Sequence, residues 1–598
     1  MAKKALSSAA VSTVFVMREN LHIYHNIGIV QSPRHHMAKP VLLLTTTTLV
    51  QRRREEEQTR RRRRRRVSSS SLKSIDSSSS ISRTNNNYYN NNNHNKKSQR
   101  RRERRLKATS TSNNNNSINK SMLLFTEEEE EEESELSRRQ RRPIAEEAIS
   151  WAFQHGLVVA SGAKQAGQTF HAPVSLYPTQ FPREVFEFAK DITPKFAELY
   201  DKVSLDDNFM RETLREAALN DPEFTGKLWK IYETCGKANN GRVNKELGIL
   251  RTDYMHDTKS GLPLQVEVNT VSTSFMGLGS KCTEMHRHLA KYVGDDKFDL
   301  KNMPINESLN QAAKTLCEGW KAMKYENASI LMVVQEGETN IFDQRLISQK
   351  VFETIGVKTI RKTLREINEN GKLDHETNLF SIDGKLCSVV YFRAGYAPND
   401  FPSEVQWDAK MLLEKSSSLK SPSVAMHLAG SKKIQQALAE EGVLEKYMPN
   451  DAKDMRKVFA GLYSFEGEEN MKKSIALGLS SPSDYVLKPQ REGGGNNLYG
   501  EKMKEKLEND TKDLAAYILM QRIFPPSHEV TMLRKGLAYE IESLSELGIY
   551  SSYLRIGDIS DGQIMNEHGG SLLRTKAASS DEGGVAAGYA VLDSPYLV

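Results

Sequence analysis

The chain changes character near residue 137, and only the residues beyond that point can bury a core. Ahead of it come an arginine run from Arg60 to Arg66, serine blocks, an asparagine tract around 85–95, and a glutamate run from Glu127 to Glu133. Such a segment cannot remove enough apolar surface from water to offset its ordering entropy, so 1–137 is read as a disordered, low-complexity tail. Its first fifty residues are rich in Ser, Thr and basic groups and hold one acid, Glu19, a composition like that of an organelle transit peptide. A basic interaction arm, or upstream sequence that the working protein lacks (Met37 and Met122 are alternative starts), accounts for the same composition.

Charge follows the same division. Residues 1–142 hold 30 Lys+Arg against 14 Asp+Glu, whereas 143–598 hold 54 against 63. The net +7 therefore belongs to the tail, and the mildly acidic body lacks the balance expected of a folded nucleic-acid-binding domain. Cys235, Cys282, Cys317 and Cys387 are far apart with no C-x-x-C pair, which points to reduced thiols in an intracellular compartment. No apolar run reaches the roughly 18–20 residues that span a bilayer, so the protein is read as soluble.

Order is expected from about Pro143. Ile144, Ala148, Ile149, Ala152 and Phe153 have helical spacing, as do Val185, Phe188, Ile192, Phe196, Leu199 and Val203 in spite of Pro194. Helical segments then alternate with short apolar runs at 330–334, 389–392, 485–487 and 517–520, which predicts a mixed α/β protein.

Several polar clusters stand out on this framework. Lys488, Glu492, the glycines 493–495 and the pair Asn496-Asn497 follow the run Tyr485-Val486-Leu487. Three glycines let backbone N–H groups approach a polyphosphate, the lysine neutralises phosphate charge, and the carboxylate suits Mg²⁺. A flexible surface turn is the alternative reading of the glycines alone. In Gln265-Val266-Glu267-Val268-Asn269, valines at alternate positions predict a strand whose other face carries Glu267 and Asn269, both hard oxygen ligands. An ordinary amphipathic strand would look the same. Hydroxyls at 270–274 follow, and Gly277-Leu278-Gly279 is expected to be a loop before a helix that binds carboxylates through its amides. Polar groups at 335–345 and at Arg393-Ala394-Gly395-Tyr396 fall after apolar runs, where an open α/β sheet has its ligand crevice, and Arg393 is suited to clamp a carboxylate. Near the C-terminus, Arg574 and Lys576 precede a Gly- and Ala-rich segment, 583–588, expected to act as a lid over a bound anion.

The segments EVNTVSTSF, QEGETNIFDQR, VVYFRAGY, KPQREGGGNNLYG, SELGIY and LLRTKAASSDEGGVAAG, in that order, resemble those of eukaryotic glutathione synthetases of the plant type. These are ATP-grasp ligases, and the similarity runs from about Glu146 to Val598. The resemblance implies an ATP-grasp body at 138–327 and 432–598, with a smaller α/β substrate-binding domain embedded at 328–431. It implies Glu267, Asn269 and Glu492 as Mg²⁺ ligands, and Lys432, Lys488 and Arg574 as the groups that stabilise the transferring phosphoryl. ATP contacts carried over are Glu267, Lys432, Lys488, Glu492, Gly493, Gly494, Gly495, Asn496, Asn497, Tyr499, Met520, Gln521, Arg522, Ile523, Glu546, Lys576 and Glu582. At Glu582 some relatives have Asp. Peptide-substrate contacts carried over are Arg251, Val271, Ser272, Thr273, Ser274, Glu338, Thr339, Asn340, Gln344, Arg393, Ala394, Gly395, Tyr396, Arg574, Val585 and Ala586. The implied reaction joins γ-glutamylcysteine to glycine through an acyl phosphate at the expense of ATP. The implied assembly is a homodimer in cytoplasm or plastid, with no membrane or nucleic-acid partner for the folded body. β-Alanine as acceptor, and a binding role for the Arg-rich tail, are the rival readings.

Overall fold

The computed structural model describes residues 135–161, 167–235, 245–294, 298–489, 497–509, 511, 513–560, 562–580, 584–585 and 588–598. The expectations for the tail up to 134, for Glu492, Gly493, Gly494, Gly495 and Asn496, and for Glu582 and Ala586 lie outside the described residues.

Helix α1 (Glu135–His155) is followed by β1 (Val174–Ser175), α2 (Arg183–Leu205), β2 (Lys245–His256) and β3 (Pro263–Asn269). Next come α3 (Met276–Val293), α4 (Ser308–Met323), β4 (Ser329–Val333), α5 (Ile341–Ile355), β5 (Thr359–Lys362), β6 (Lys385–Phe392) and α6 (Glu404–Lys415). Helix α7 (Lys432–Ala439) leads to β7 (Tyr485–Pro489) and β8 (Tyr517–Gln521). The chain ends through β9 (Ser527–Arg534), β10 (Leu537–Ile556), β11 (Gln563–Ala577) and β12 (Ala590–Asp593).

Among the described residues three larger sheets stand beside two of two strands each. The largest has the order β9-β1-β12-β11-β10-β2-β3. In the second, β5, β4 and β6 are parallel neighbours, so their C-terminal ends lie along one edge. The third pairs β7 with β8 antiparallel, flanked by two short strands. The α/β class read from alternation is therefore present, with parallel and antiparallel sheets in one chain.

The helical stripes hold with one exception. On α2, Val185, Ile192, Phe196, Leu199 and Val203 are buried and Phe188 packs at the edge of the same core. On α1 the buried face is Ala145, Ala148, Trp151 and Ala152, whereas Phe153 is 50% exposed. The 145-148-152 spacing keeps to one side of the helix, and Phe153 lies one residue, about 100°, off it.

Beneath the large sheet, α2 contributes Asp201, which accepts hydrogen bonds from Tyr553 Oη (2.6 Å) and Arg555 Nε (2.6 Å) on β10. Glu246 on β2 lies nearby and accepts from the Ser423 N–H (3.1 Å) and Oγ (2.6 Å). Burial, reinforced by the Asp201 charge, raises the Glu246 carboxyl to about 8 against the opposing Ser423 hydrogen bonds and Arg555. Between 4.5 and 8 the folded chain thus holds this proton and the unfolded chain does not, so stability falls as pH rises through that window. Glu246→Gln keeps an acceptor for the Ser423 N–H and cannot ionise. Calorimetry should find it more stable than wild type at about pH 8.5 and level with it at about pH 5.

Candidate active site

Strands β3, β2, β10 and β11 are neighbours, and alternate residues on each point to one face. The register sets Arg251 opposite Asn269 and Asp253 opposite Glu267. It sets Gly548 opposite Asp253, and Glu546 opposite Arg574. Glu267 and Asn269 share a face as their spacing predicts, with Asn269 Nδ2 donating to Glu267 Oε1 at 3.2 Å. Asp253, fully buried, joins the group. It accepts from Arg251 Nε (2.6 Å) and Nη2 (2.8 Å) and from Asn269 Nδ2 (2.9 Å), and it forms an ion pair with Arg574, whose Nη2 lies 2.9 Å from Oδ2. The same Arg574 nitrogen donates to Glu546 Oε1 at 2.5 Å. Lys576 lies two residues along β11 from Arg574, on the same side of the strand.

Two lysines arrive from other elements. Lys432 opens α7, and its Nζ is 3.6 Å from Glu267 Oε2. The approach depends on Gly430, where a Cβ would come within 2.3 Å of Thr270 Oγ1 just past the end of β3. Lys488, on β7, donates to the Val266 carbonyl at 3.4 Å. Burial alone would raise the Glu267 carboxyl, but Lys432, Lys488, Arg574 and Arg251 outweigh it and hold the group down to about 2. Glu267 is therefore ionised at neutral pH. Glu546 moves the other way, raised by burial and by Asp253 and Glu267 in spite of Arg574 and Arg251.

A second cluster lies where β4 and β6 end. Arg393 follows β6 and donates from Nη1 and Nη2 to Asp343 Oδ2, both at 3.1 Å, and from Nη2 to Ser274 Oγ at 2.9 Å. Its Nε is buried without a partner. Asp343, fully buried on α5, also accepts from the N–H groups of Phe275 (2.9 Å), Gly277 (2.8 Å) and Leu278 (3.1 Å). This corrects one expectation. Gly277 to Gly279 lie inside the first turns of α3 rather than in a loop, and the amides of Gly277 and Leu278 hold a carboxylate of the protein itself. Arg393 pairs with the same acid, so one buried carboxylate satisfies both a buried guanidinium and a helix N-terminus.

The 271–274 connection is held tightly between these clusters. Ser272 and Phe275 have φ of 52° and 73°, a left-handed conformation that disfavours side chains and costs on the order of 1–2 kcal/mol each. Thr273 Oγ1 donates to the Ile249 carbonyl (3.0 Å), and Tyr550 Oη donates to the Ser274 carbonyl (2.5 Å). After β4, Glu338 accepts from the Asn340 N–H (2.7 Å) and from Gln344 Nε2 (2.6 Å), leaving Asn340 Oδ1 and Gln344 Oε1 buried without partners. Thr339 is tied to β-structure near α1 through its carbonyl, which accepts from the Ala160 N–H (3.0 Å). The turn Arg393–Tyr396 closes on Asp400, whose Oδ2 accepts from the N–H groups of Gly395 and Tyr396 at 2.9 and 3.0 Å. Gly395 has φ +89°, which favours glycine there, and Ala394 is buried.

The third sheet supplies an apolar floor. Val486 pairs with Met520 across β7–β8, and both cluster with Leu264, with Tyr499 and Ile523 at the margin. Gln521 receives the Gly461 N–H on its Oε1 at 3.0 Å. The Arg522 guanidinium lies 5.5 Å from the Tyr499 ring centre, and Asn497 Nδ2 donates to Tyr499 Oη at 3.4 Å. Val585 is buried in the core.

The sequence singles out neither Asp253 nor Asp343. Asp253 has a weak local cue, since it lies two residues from Arg251 in a strand and must share its face. Asp343 has none, because its partners are far away in the chain.

An acid kept ionised among lysines and arginines, beside an apolar floor, fits an ATP-dependent ligase, and comparison with known proteins agrees. The family model for the eukaryotic glutathione synthase ATP-binding domain matches residues 138–597. The chain belongs to the eukaryotic glutathione synthase family. It is 43% identical to the chloroplastic glutathione synthetase of Arabidopsis thaliana over 465 residues, covering 76% of this chain and 84% of that one. It is 38% identical to glutathione synthetase of Homo sapiens over 472 residues, covering 77% and 98%. A glutathione synthetase-like effector from Globodera pallida, 24% identical, has the same fold with a TM-score of 0.62, covering 77% of this chain and 97% of that one.

Proposed function

We propose that this chain is a glutathione synthetase that joins γ-glutamylcysteine to glycine. The observation that carries this is the gathering of Arg251, Glu267, Asn269 and Arg574 on one sheet face, with Lys432 and Lys488 brought to it from other elements, in a chain of this family. The cysteinyl carboxylate attacks the γ-phosphorus of ATP; a C–O–P bond forms, the β,γ-bridging P–O bond breaks, and ADP leaves. Glycine's amine then attacks the acyl carbonyl, the amide forms, phosphate departs, and the amine proton passes to solvent. Two anions must meet in the first step, so Lys432, Lys488, Arg574 and Lys576 screen them and stabilise charge on the transferring group.

Mg²⁺ is part of this reading. Among the described residues no group of three His, Cys, Asp or Glu forms a metal cage, but Glu267 offers an ionised carboxylate, and Asn269, whose Nδ2 donates to it, carries an amide oxygen on the same strand face. That donor set fits a hard cation, which would take further oxygens from water and phosphate; Glu492, the third ligand the family resemblance implies, lies outside the described residues. When bound, the cation would neutralise phosphate charge.

The peptide reads best against Arg251, Val271–Ser274, Glu338–Asn340, Gln344 and Arg393–Tyr396, where buried Arg393 Nε, Asn340 Oδ1 and Gln344 Oε1 lack partners. Adenine reads best against Met520–Ile523 and Tyr499. The sheets support a division into a ligase body (138–327 and 432–598) and a substrate-binding domain (328–431) built on β4, β5 and β6. We further infer glycine rather than β-alanine from Ala586-Ala587, a homodimer from the family, and a plastid setting from chloroplastic relatives. No helix among the described residues is long and apolar enough to cross a membrane.

ADP release should require γ-glutamylcysteine and glycine together, with either alone near background, and β-alanine should be a poor substitute. A chain lacking residues 1–137 should keep this activity, and Glu492→Ala should abolish it. Full activity in Glu492→Ala, or activity lost with the tail, would overturn the reading.

A further inference from the structure

We propose that Asp253 is the positioning residue of this site, one buried carboxylate that holds Arg251, Arg574 and Asn269 in a single arrangement. The inference rests on the reading of Arg251 as a γ-glutamylcysteine contact and of Asn269 as a cation ligand. Asp253 Oδ1 takes Arg251 Nε at 2.6 Å. Its Oδ2 takes Arg251 Nη2 (2.8 Å) and Asn269 Nδ2 (2.9 Å) and pairs ionically with Arg574 Nη2 at 2.9 Å. Three functional side chains from three strands therefore share one acid.

Each contact has a consequence. The two-point grip on Arg251 sets the plane of its guanidinium, which a single bond would leave free to turn. Arg251 and Arg574 repel each other, and the carboxylate between them lets both stay on the same face. The amide of Asn269 lies against two carboxylates, Asp253 and Glu267, so its nitrogen must face them. Turning it over would put Oδ1 against negatively charged oxygens, so the two bonds through Nδ2 fix which end of the amide faces the acids. The neighbouring strand leaves room for this arrangement and no more. A Cβ on Gly548 would lie 2.8 Å from Asp253 Oδ1 and 2.7 Å from Arg251 Cδ.

Asp253→Asn keeps the shape and removes the charge; Gly548→Ala keeps every charge and presses on the same two side chains. Calorimetric titration with γ-glutamylcysteine, without nucleotide or metal, reads the Arg251 arrangement directly. Both variants should bind it about tenfold or more weakly, with its KM rising in step, while ADP binding stays within about twofold of wild type. A merely structural role would instead lower the active fraction and leave both affinities unchanged. If Asp253→Asn does not fold, Gly548→Ala carries the test. Folded variants that bind γ-glutamylcysteine as wild type does overturn the role given to Asp253. A wild-type chain that fails to bind it overturns the functional reading beneath.

Discussion

Glu267→Gln is expected to lower kcat for ADP release by about 10²–10³, the range seen when one preorganised electrostatic contact is lost from an active site. The size reflects the charges around it. Glu267 is the acid on which Lys432, Lys488, Arg574 and Arg251 all act, and it offers the ionised oxygens beside Asn269. A neutral amide of the same shape takes one negative charge away from all four cations and removes an ionised ligand for a divalent ion, so half-saturation by Mg²⁺ should also move upward. The pH dependence has a definite sign. The carboxyl is depressed from 4.5 to about 2 in the folded chain, so its contribution to stability is complete above 4.5 and lost as pH falls through 2. Thermal melts should find the variant less stable than wild type at neutral pH, with the gap closing as pH drops across that window. A variant with wild-type kcat and the same Mg²⁺ dependence would remove Glu267 from the mechanism.

Asp343→Ala should cost about 3–5 kcal/mol of folding stability, the usual result of stripping one partner from a buried ion pair. Its loss leaves the Arg393 guanidinium, 3% exposed, without its counter-ion, and strands the N–H groups of Phe275, Gly277 and Leu278 at the start of α3. Urea unfolding measures the effect. Asp343→Asn, which keeps an acceptor oxygen and loses the charge, should fall between wild type and alanine. Equal stability of all three would mean that the pair contributes nothing to the fold. Because Ser274 is held by the same Arg393, any folded variant should also bind γ-glutamylcysteine weakly.

The local parts of this architecture are legible in the order of residues. The α2 stripe is buried as its spacing requires, and the four apolar runs form strands β4, β6, β7 and β8. The face shared by Glu267 and Asn269 comes from a period of two, which holds for any strand. The error at Phe153 is of the same local kind, a one-residue misjudgement of where the helix turns.

Patterning along the chain thus determined the fold class, the helical faces, the Glu267–Asn269 pair and, through six segments, the family. Only tertiary structure decided what those residues touch. Asp253 meets Arg574 because β2 and β11 both pair with β10, and Gly277 finds Asp343 across 66 residues of chain. Periodicity reports which way a side chain points relative to its neighbours in sequence. It carries no information about register between distant strands or about which helix meets which. Those long-range contacts turned an expected ligand-binding amide loop into a helix start held by the protein's own carboxylate.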